Sequence, residues 1–197
     1  MSEDPSARFL VLHGWQNRRP QQHWQWQTVE ALRQDGTQVL YPQLPNADEP
    51  SLEAWSDVVR AELAQLGTGE RVVIAHSLAV SLWLNLAPQL STDEHVDRVL
   101  LVSPPSPTVL RGYPEVAAFA EVPHDARAVK AVATSTRLVH SDNDPFCPEG
   151  AQIAFESLGL DSDVIPGGEH LTPDAGYGAW PSMLAWCRDP RARLTAV

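Results

Sequence analysis

Short apolar runs separated by longer amphipathic segments recur along the whole chain, and this alternation constrains the fold more than any other feature. The runs are Phe9 to Leu12, Val39 to Tyr41, Val72 to Ala75, Val99 to Val102, Leu138 to Val139 and Val164 to Ile165. Most are continuously apolar, as strands must be when helices cover both faces of a sheet. The segments between them carry helical spacing. Leu52, Trp55, Val59, Leu63 and Leu66 fall on one face, with Ser51 placed to cap the helix and Gly67 to end it. Further helices are expected from about Gln22, from Leu78 to Ala87, after Pro148, and from about Pro181. This pattern predicts an α/β fold: a doubly wound, mainly parallel sheet of about six strands with helices on both faces.

Composition narrows the function. The 197 residues suit one domain, taken as residues 1–197, and 43% apolar with 20% charged content is that of a globular protein. A formal net charge of −11 disfavours nucleic acid and anionic membrane surfaces as partners, because both need clustered Lys and Arg. The longest apolar run, Val116 to Ala120, is too short to span a bilayer. Met1 to Pro5 lacks the features of a signal peptide, so a cytoplasmic location is expected. Two cysteines, Cys147 and Cys187, cannot build a disulfide framework or a four-cysteine zinc site. One stretch is irregular: Ser103 to Asp125, rich in proline, reads as a functional flap or a wandering connection with one short helix.

In an open α/β sheet, ligands bind beyond the carboxyl ends of the strands. The third strand ends Val72-Val73-Ile74-Ala75-His76-Ser77-Leu78-Ala79 and a helix follows at once. A small-x-Ser-x-small turn of this kind throws a serine hydroxyl out above the sheet, at a helix N-terminus that favours an oxyanion. Ser77 also reads as an ordinary N-cap, and alanines stand where the nucleophile elbow usually has glycines.

A nucleophilic serine needs a base, and the base an orienting acid, in the chain order Ser, Asp or Glu, His for this topology. His170 follows the last apolar run in a glycine-rich loop, Pro166-Gly167-Gly168-Glu169-His170. The preceding strand end, Leu138-Val139-His140-Ser141-Asp142-Asn143-Asp144-Pro145-Phe146, offers two carboxylates. Asp144, deeper in the turn, is favoured, with Asp142 the alternative; either could also be a turn former bonding its own backbone. Serine, acid and base candidates at strand ends in the required order make a coherent set. The oxyanion hole would use the backbone N–H of Leu78 and one from the His13-Gly14-Trp15 loop after the first strand. Gly14 allows close backbone approach. Trp15 is either an N–H donor and wall of an acyl pocket or a buried core aromatic.

The His13-Gly14-Trp15 loop, His23-Trp24, the His76-Ser77 elbow, Ser141-x-x-Asp144-Pro145-Phe146 and Gly168-x-His170 together resemble the retinoblastoma-binding protein 9 family of small serine hydrolases, within the α/β-hydrolase fold. The likeness covers almost the whole chain, and Ala75 and Ala79 are its departures. It implies Ser77 as nucleophile, Asp144 as acid and His170 as base, in a carboxylesterase-type enzyme with neither cofactor nor large cap domain.

The resulting expectation is hydrolysis of small carboxylic esters, or of thioesters or activated amides, through an acyl-enzyme. The acidic surface would disfavour anionic substrates, and the absence of room for a lid would favour small or accessible esters. The partner is then a small-molecule ester. A rival reading is a non-catalytic scaffold that binds a protein partner. Another takes His140, Asp142 and Asp144 as a metal site or phosphatase acid pair; the serine reading needs no metal. His13 and His76 are expected at the site rim, with Gly14 and His76 against the substrate. Trp24, Trp26, Trp55, Trp83, Trp180 and Trp186 read as core anchors. Cys147, beside the acid turn, reads as semi-exposed and unremarkable in reactivity.

Overall fold

The continuously apolar strands form the centre of the molecule. A computed structural model describes residues 7–121 and 126–197, so Met1 to Pro5 and, in the proline-rich stretch, Pro123, His124 and Asp125 lie outside the described residues. Strands β1 (Arg8–Leu12), β2 (Val39–Leu40), β3 (Arg71–His76), β4 (Val96–Val102), β5 (Ala133–Ser141) and β6 (Asp161–Ile165) form, among the described residues, one sheet in the order β2-β1-β3-β4-β5-β6. Every neighbouring pair is parallel.

Alternation along each strand divides the core in two. Leu10, Leu12, Val73, Ala75, Val99 and Leu101 pack with α2 (Leu52–Gln65) and α3 (Leu78–Leu86) on one face. Phe9, Val11, Val72, Ile74, Leu100 and Val102 pack with α1 (Trp24–Gln34) and α7 (Pro181–Arg188) on the other. Between these lie α4 (Pro107–Leu110), α5 (Ala126–Ala131) and α6 (Ala151–Ala154). Burying apolar side chains on both faces, at roughly 1.5–3 kcal/mol each, is what makes the sheet the stable organiser of the fold.

Several boundaries depart from the sequence pattern for identifiable reasons. The Ser51 hydroxyl caps α2 by accepting from Ala54 N–H at 3.2 Å, and Gly67 takes φ 72° just past its end, as expected. Helix α1 starts at Trp24 rather than Gln22, because His23 serves as its cap, its Nδ1 accepting from Gln25 N–H. Strand β5 extends back to Ala133 through exposed Thr134 and Ser135, a polar stretch that gives no apolar signal. After Pro148 the expected helix forms only as the short turn α6, entered through Gly150 at φ 85°, followed by a separate 3-10 turn over Glu156–Leu158 that Gly159 ends at φ 53°. Helix α5, just after the proline-rich stretch, has no counterpart in the sequence reading.

From β1 the chain moves outward to β2 in one direction, and from β3 it steps to β4, β5 and β6 in the other. The direction of winding therefore reverses between β1 and β3, where a doubly wound sheet opens a crevice at its carboxyl edge. Among the described residues no helix is long and apolar enough to cross a membrane.

Candidate active site

Ser77, the residue directly after β3, stands at that crevice with φ 58° and ψ −126°. Its N–H donates to Val102 O at 2.9 Å and its carbonyl accepts from Val80 N–H at 2.8 Å, fixing the turn at both ends. A non-glycine residue held at positive φ costs about 1–3 kcal/mol. The hydroxyl does not cap α3; it lies 2.8 Å from Nε2 of His170. Ser77 thus holds the N-cap position of α3 without capping it through its side chain.

The imidazole of His170 is gripped from its other side by Asp144, whose Oδ2 and Oδ1 lie 2.8 and 3.0 Å from Nδ1. A carboxylate there makes Nδ1 the protonated nitrogen and leaves Nε2 a lone pair toward Ser77. Asp144 is buried, and its Oδ1 also accepts from Phe146 N–H at 2.8 Å. The Phe146 ring packs against His170 with centroids 4.5 Å apart. Asp142 goes elsewhere: its Oδ1 accepts from Gly167 N–H at 2.7 Å. His140 turns Nδ1 to the carbonyl of Ser141 at 3.0 Å. His140, Asp142 and Asp144 therefore face three separate partners, an arrangement unlike a shared metal site or an acid pair.

The loop after β1 closes over the serine. Gly14 is so near that a Cβ there would lie 2.7 Å from Ser77 Cβ and 3.0 Å from its Oγ, so only glycine fits. Within the described hydrogen bonds the N–H groups of Trp15 and Leu78 are not taken by another protein group. Leu78 opens α3 and so has no acceptor within its own helix. Trp15 is half-buried rather than a core aromatic; its indole N–H donates to Asp48 O at 2.8 Å and its ring meets Tyr113 edge-on at 5.4 Å.

His13 corrects the expectation of a rim position. It is fully buried, its Nδ1 donates to Gly14 O at 2.8 Å, and its Nε2 accepts from Leu44 N–H at 2.9 Å. Desolvation is the main reason its pKa falls to about 4. His76 is also buried, behind His170, although it reaches the cavity lining. Burial holds its pKa well below the ordinary histidine value, with the neighbouring His23 and His170 adding to the effect. His23, which the sequence marked only through its pairing with Trp24, completes this row. Its ring lies 5.2 Å from that of His76, and desolvation lowers its pKa to about 4. Cys147 is buried rather than semi-exposed; burial, with Glu149 and Asp144 nearby, pushes its thiol up to about 12.

A cavity of about 590 Å³ opens over Ser77, lined by Gly14, Trp15, His76, Leu78 and His170 among others. The proline-rich segment supplies one wall through Pro105, Val109, Leu110 and Tyr113. Of the expected tryptophan anchors, Trp24, Trp55, Trp83, Trp180 and Trp186 are buried, while Trp26 is half-buried against the α1–α7 face.

An open parallel sheet with a strained serine at its β3–α3 turn defines a minimal α/β-hydrolase fold. The family model described as serine hydrolase matches residues 9–188, and the chain belongs to that family. The ydeN gene product from B. subtilis aligns with a TM-score of 0.76 and 21% identity, over 91% of this chain and 96% of that one. A putative yden-like hydrolase from Pectobacterium atrosepticum gives a TM-score of 0.72 and 19% identity, over 93% and 90%. The esterase domain of a Rhodothermus marinus protein gives 0.66 and 18%, over 95% and 89%. Comparison with curated protein sequences gives no match.

Proposed function

We propose that the chain is a carboxylesterase-type serine hydrolase, related to the retinoblastoma-binding protein 9 group, in which Ser77 is the nucleophile, His170 the general base and Asp144 the orienting acid. The observation that carries this reading is the continuous chain from Ser77 Oγ to His170 Nε2 and from His170 Nδ1 to Asp144, each link 2.8 Å at its shortest. His170 takes the hydroxyl proton as Ser77 Oγ attacks the acyl carbonyl, and Asp144 stabilises the imidazolium that results. The Leu78 and Trp15 N–H groups receive the developing oxyanion. His170 then protonates the leaving alcohol, and water, deprotonated by the same imidazole, releases the acid and restores the serine.

The described lining of the cavity supports small carboxylic esters as substrates, with thioesters and activated amides open to the same chemistry. Its apolar wall of Val109, Leu110 and Tyr113 suits an uncharged acyl group. A fluorophosphonate probe tests the assignment. Wild type should be labelled and should turn over a short-chain ester, whereas Ser77→Ala should do neither. Equal labelling of both proteins would remove Ser77 as nucleophile; a silent probe with no ester turnover would favour a non-catalytic binding protein.

A further inference from the structure

Four consecutive side chains, beginning with the last residue of β5, all end on the loop that carries His170. Ser141 Oγ donates to the carbonyl of Glu169. Asp142 Oδ1 accepts from Gly167 N–H at 2.7 Å, and Asn143 Oδ1 accepts from Glu169 N–H at 2.8 Å. Asp144 meets His170 itself at 2.8 Å. Consecutive side chains of an extended strand point to opposite faces, so this convergence requires the turn that Asp144 builds. That turn is closed by Cys147 N–H on Asp144 O at 3.1 Å and Phe146 N–H on its carboxylate at 2.8 Å.

The loop they hold is under strain. Glu169 and Leu171, on either side of His170, have φ 48° and 51° although neither is glycine. Left-handed backbone at such residues persists only when surrounding contacts over-determine it. The loop's own backbone bonds near His170 are few: Leu171 N–H to Gly168 O at 2.9 Å, and Gly168 N–H to Ile165 O at 3.4 Å. The remaining restraint comes from outside. On the face opposite the acid turn, His76 Nε2 donates to His170 O at 3.2 Å and the Trp24 indole N–H to Leu171 O at 2.9 Å.

We propose that Asp142 and Asn143 are positioning residues for His170, acting through the backbone N–H groups of Gly167 and Glu169 to hold the strained loop at the distance where Nε2 meets Ser77 Oγ. This rests on the reading of His170 as the base. Both side chains are solvent-exposed and serve as acceptors, so their role is geometric and an amide or a carboxylate fills it equally. A small displacement of a catalytic group is enough to slow the chemical step strongly.

Steady-state kinetics on a short-chain ester, the rate of fluorophosphonate labelling and the thermal midpoint test the proposal together. Ser77→Ala and His170→Gln come first; a His170→Gln protein with wild-type kcat overturns both the reading of the site and the positioning roles. With His170 established, Asn143→Ala should lower kcat and labelling rate about 10-fold, leave KM within about twofold, and leave the midpoint near wild type. Asn143→Asp keeps the acceptor and should recover most of the lost rate. Its added carboxylate near Asp144 should also move the acid limb of the kcat/KM profile to higher pH. Asp142→Ala and its rescue by Asp142→Asn test the neighbouring contact independently. Alanine variants with wild-type kcat overturn the proposal, as does a loss that tracks a lowered midpoint and is not rescued by the acceptor-bearing residue.

Discussion

Gly14 and Ser77 touch backbone to side chain: no atom beyond a hydrogen fits on the Gly14 Cα without meeting Ser77 Cβ at 2.7 Å. The contact brings the peptide that carries the Trp15 N–H against the proposed nucleophile. Gly14→Ala should therefore cost activity by moving either the loop or the serine. A loss of about 100-fold or more in kcat/KM is expected, since removing a single oxyanion donor costs about 10²–10³. Ester kinetics and probe labelling check it, and a near-wild-type Gly14→Ala enzyme would mean that the loop moves aside without consequence.

His13 acts on the same peptide from beneath. With Nδ1 donating to Gly14 O, and no cis peptide among the described residues, the Trp15 N–H must point away from His13 across the planar unit. His13→Leu removes this restraint and leaves the Leu44 N–H without its acceptor. The expected result is a fall in kcat of about 10-fold to 100-fold, with some destabilisation from the unpaired buried N–H. Rescue by His13→Asn or His13→Gln, measured as kcat against thermal midpoint, separates the two effects.

Burial of three histidines also predicts how stability follows pH. His13 and His23 have folded pKa values of about 4, and His76 is held well below its ordinary value, all chiefly by desolvation. Above about pH 6.5 these imidazoles are neutral in both folded and unfolded chains and contribute no slope. As pH falls below that value the unfolded chain binds protons that the folded chain refuses, so stability is lost down to about pH 4. The slope approaches about 1.4 kcal/mol per pH unit for each such histidine. Urea unfolding between pH 7.5 and 4.5 reads it directly, and His23→Gln should flatten the curve.

The φ of 58° at Ser77 implies that the serine is retained at the expense of stability. Glycine adopts that conformation without strain, alanine does not. Ser77→Gly should therefore be inactive yet more stable than Ser77→Ala by about 1 kcal/mol or more. Thermal or denaturant midpoints of the two variants decide it; a less stable glycine variant would show that the turn is not strained.

The sheet was legible in sequence wherever strands are buried on both faces. Phe9 to Leu12 and Val72 to Ala75 lie almost wholly in the core, and continuous apolar sequence reports that condition. Strand β5 was only half legible because Thr134 and Ser135 belong to the strand while facing solvent. The shortness of α6 could not be foreseen from Pro148: it ends at Ala154, where Phe155 leaves helical geometry, and the chain goes on into a separate 3-10 turn over Glu156–Leu158. Within the site, chain order brought Ser77, Asp144 and His170 into view, because strand ends share one edge of a parallel sheet. The burial of His13 was not legible, since it depends on Leu44, a residue outside any strand. Asn143 gave no signal either: its partner is a backbone N–H in another loop, and backbone partners leave no trace in residue types.

The wall formed by Val109, Leu110 and Tyr113 belongs to a stretch of chain separate from the strand ends that carry Ser77, Asp144 and His170. Ser106 N–H bonds to Phe146 O at 2.8 Å, a tether that uses only backbone and so accepts other side chains. Farther along the stretch the core buries Val116 and holds Phe119 against Trp55 at 5.5 Å, so the interchangeable part is the cavity-facing pair of half-buried Val109 and exposed Tyr113. Its exchange would redirect the choice of acyl group while the machinery beneath it stays intact, making it the place for selection or a designer to give this small scaffold a new diet.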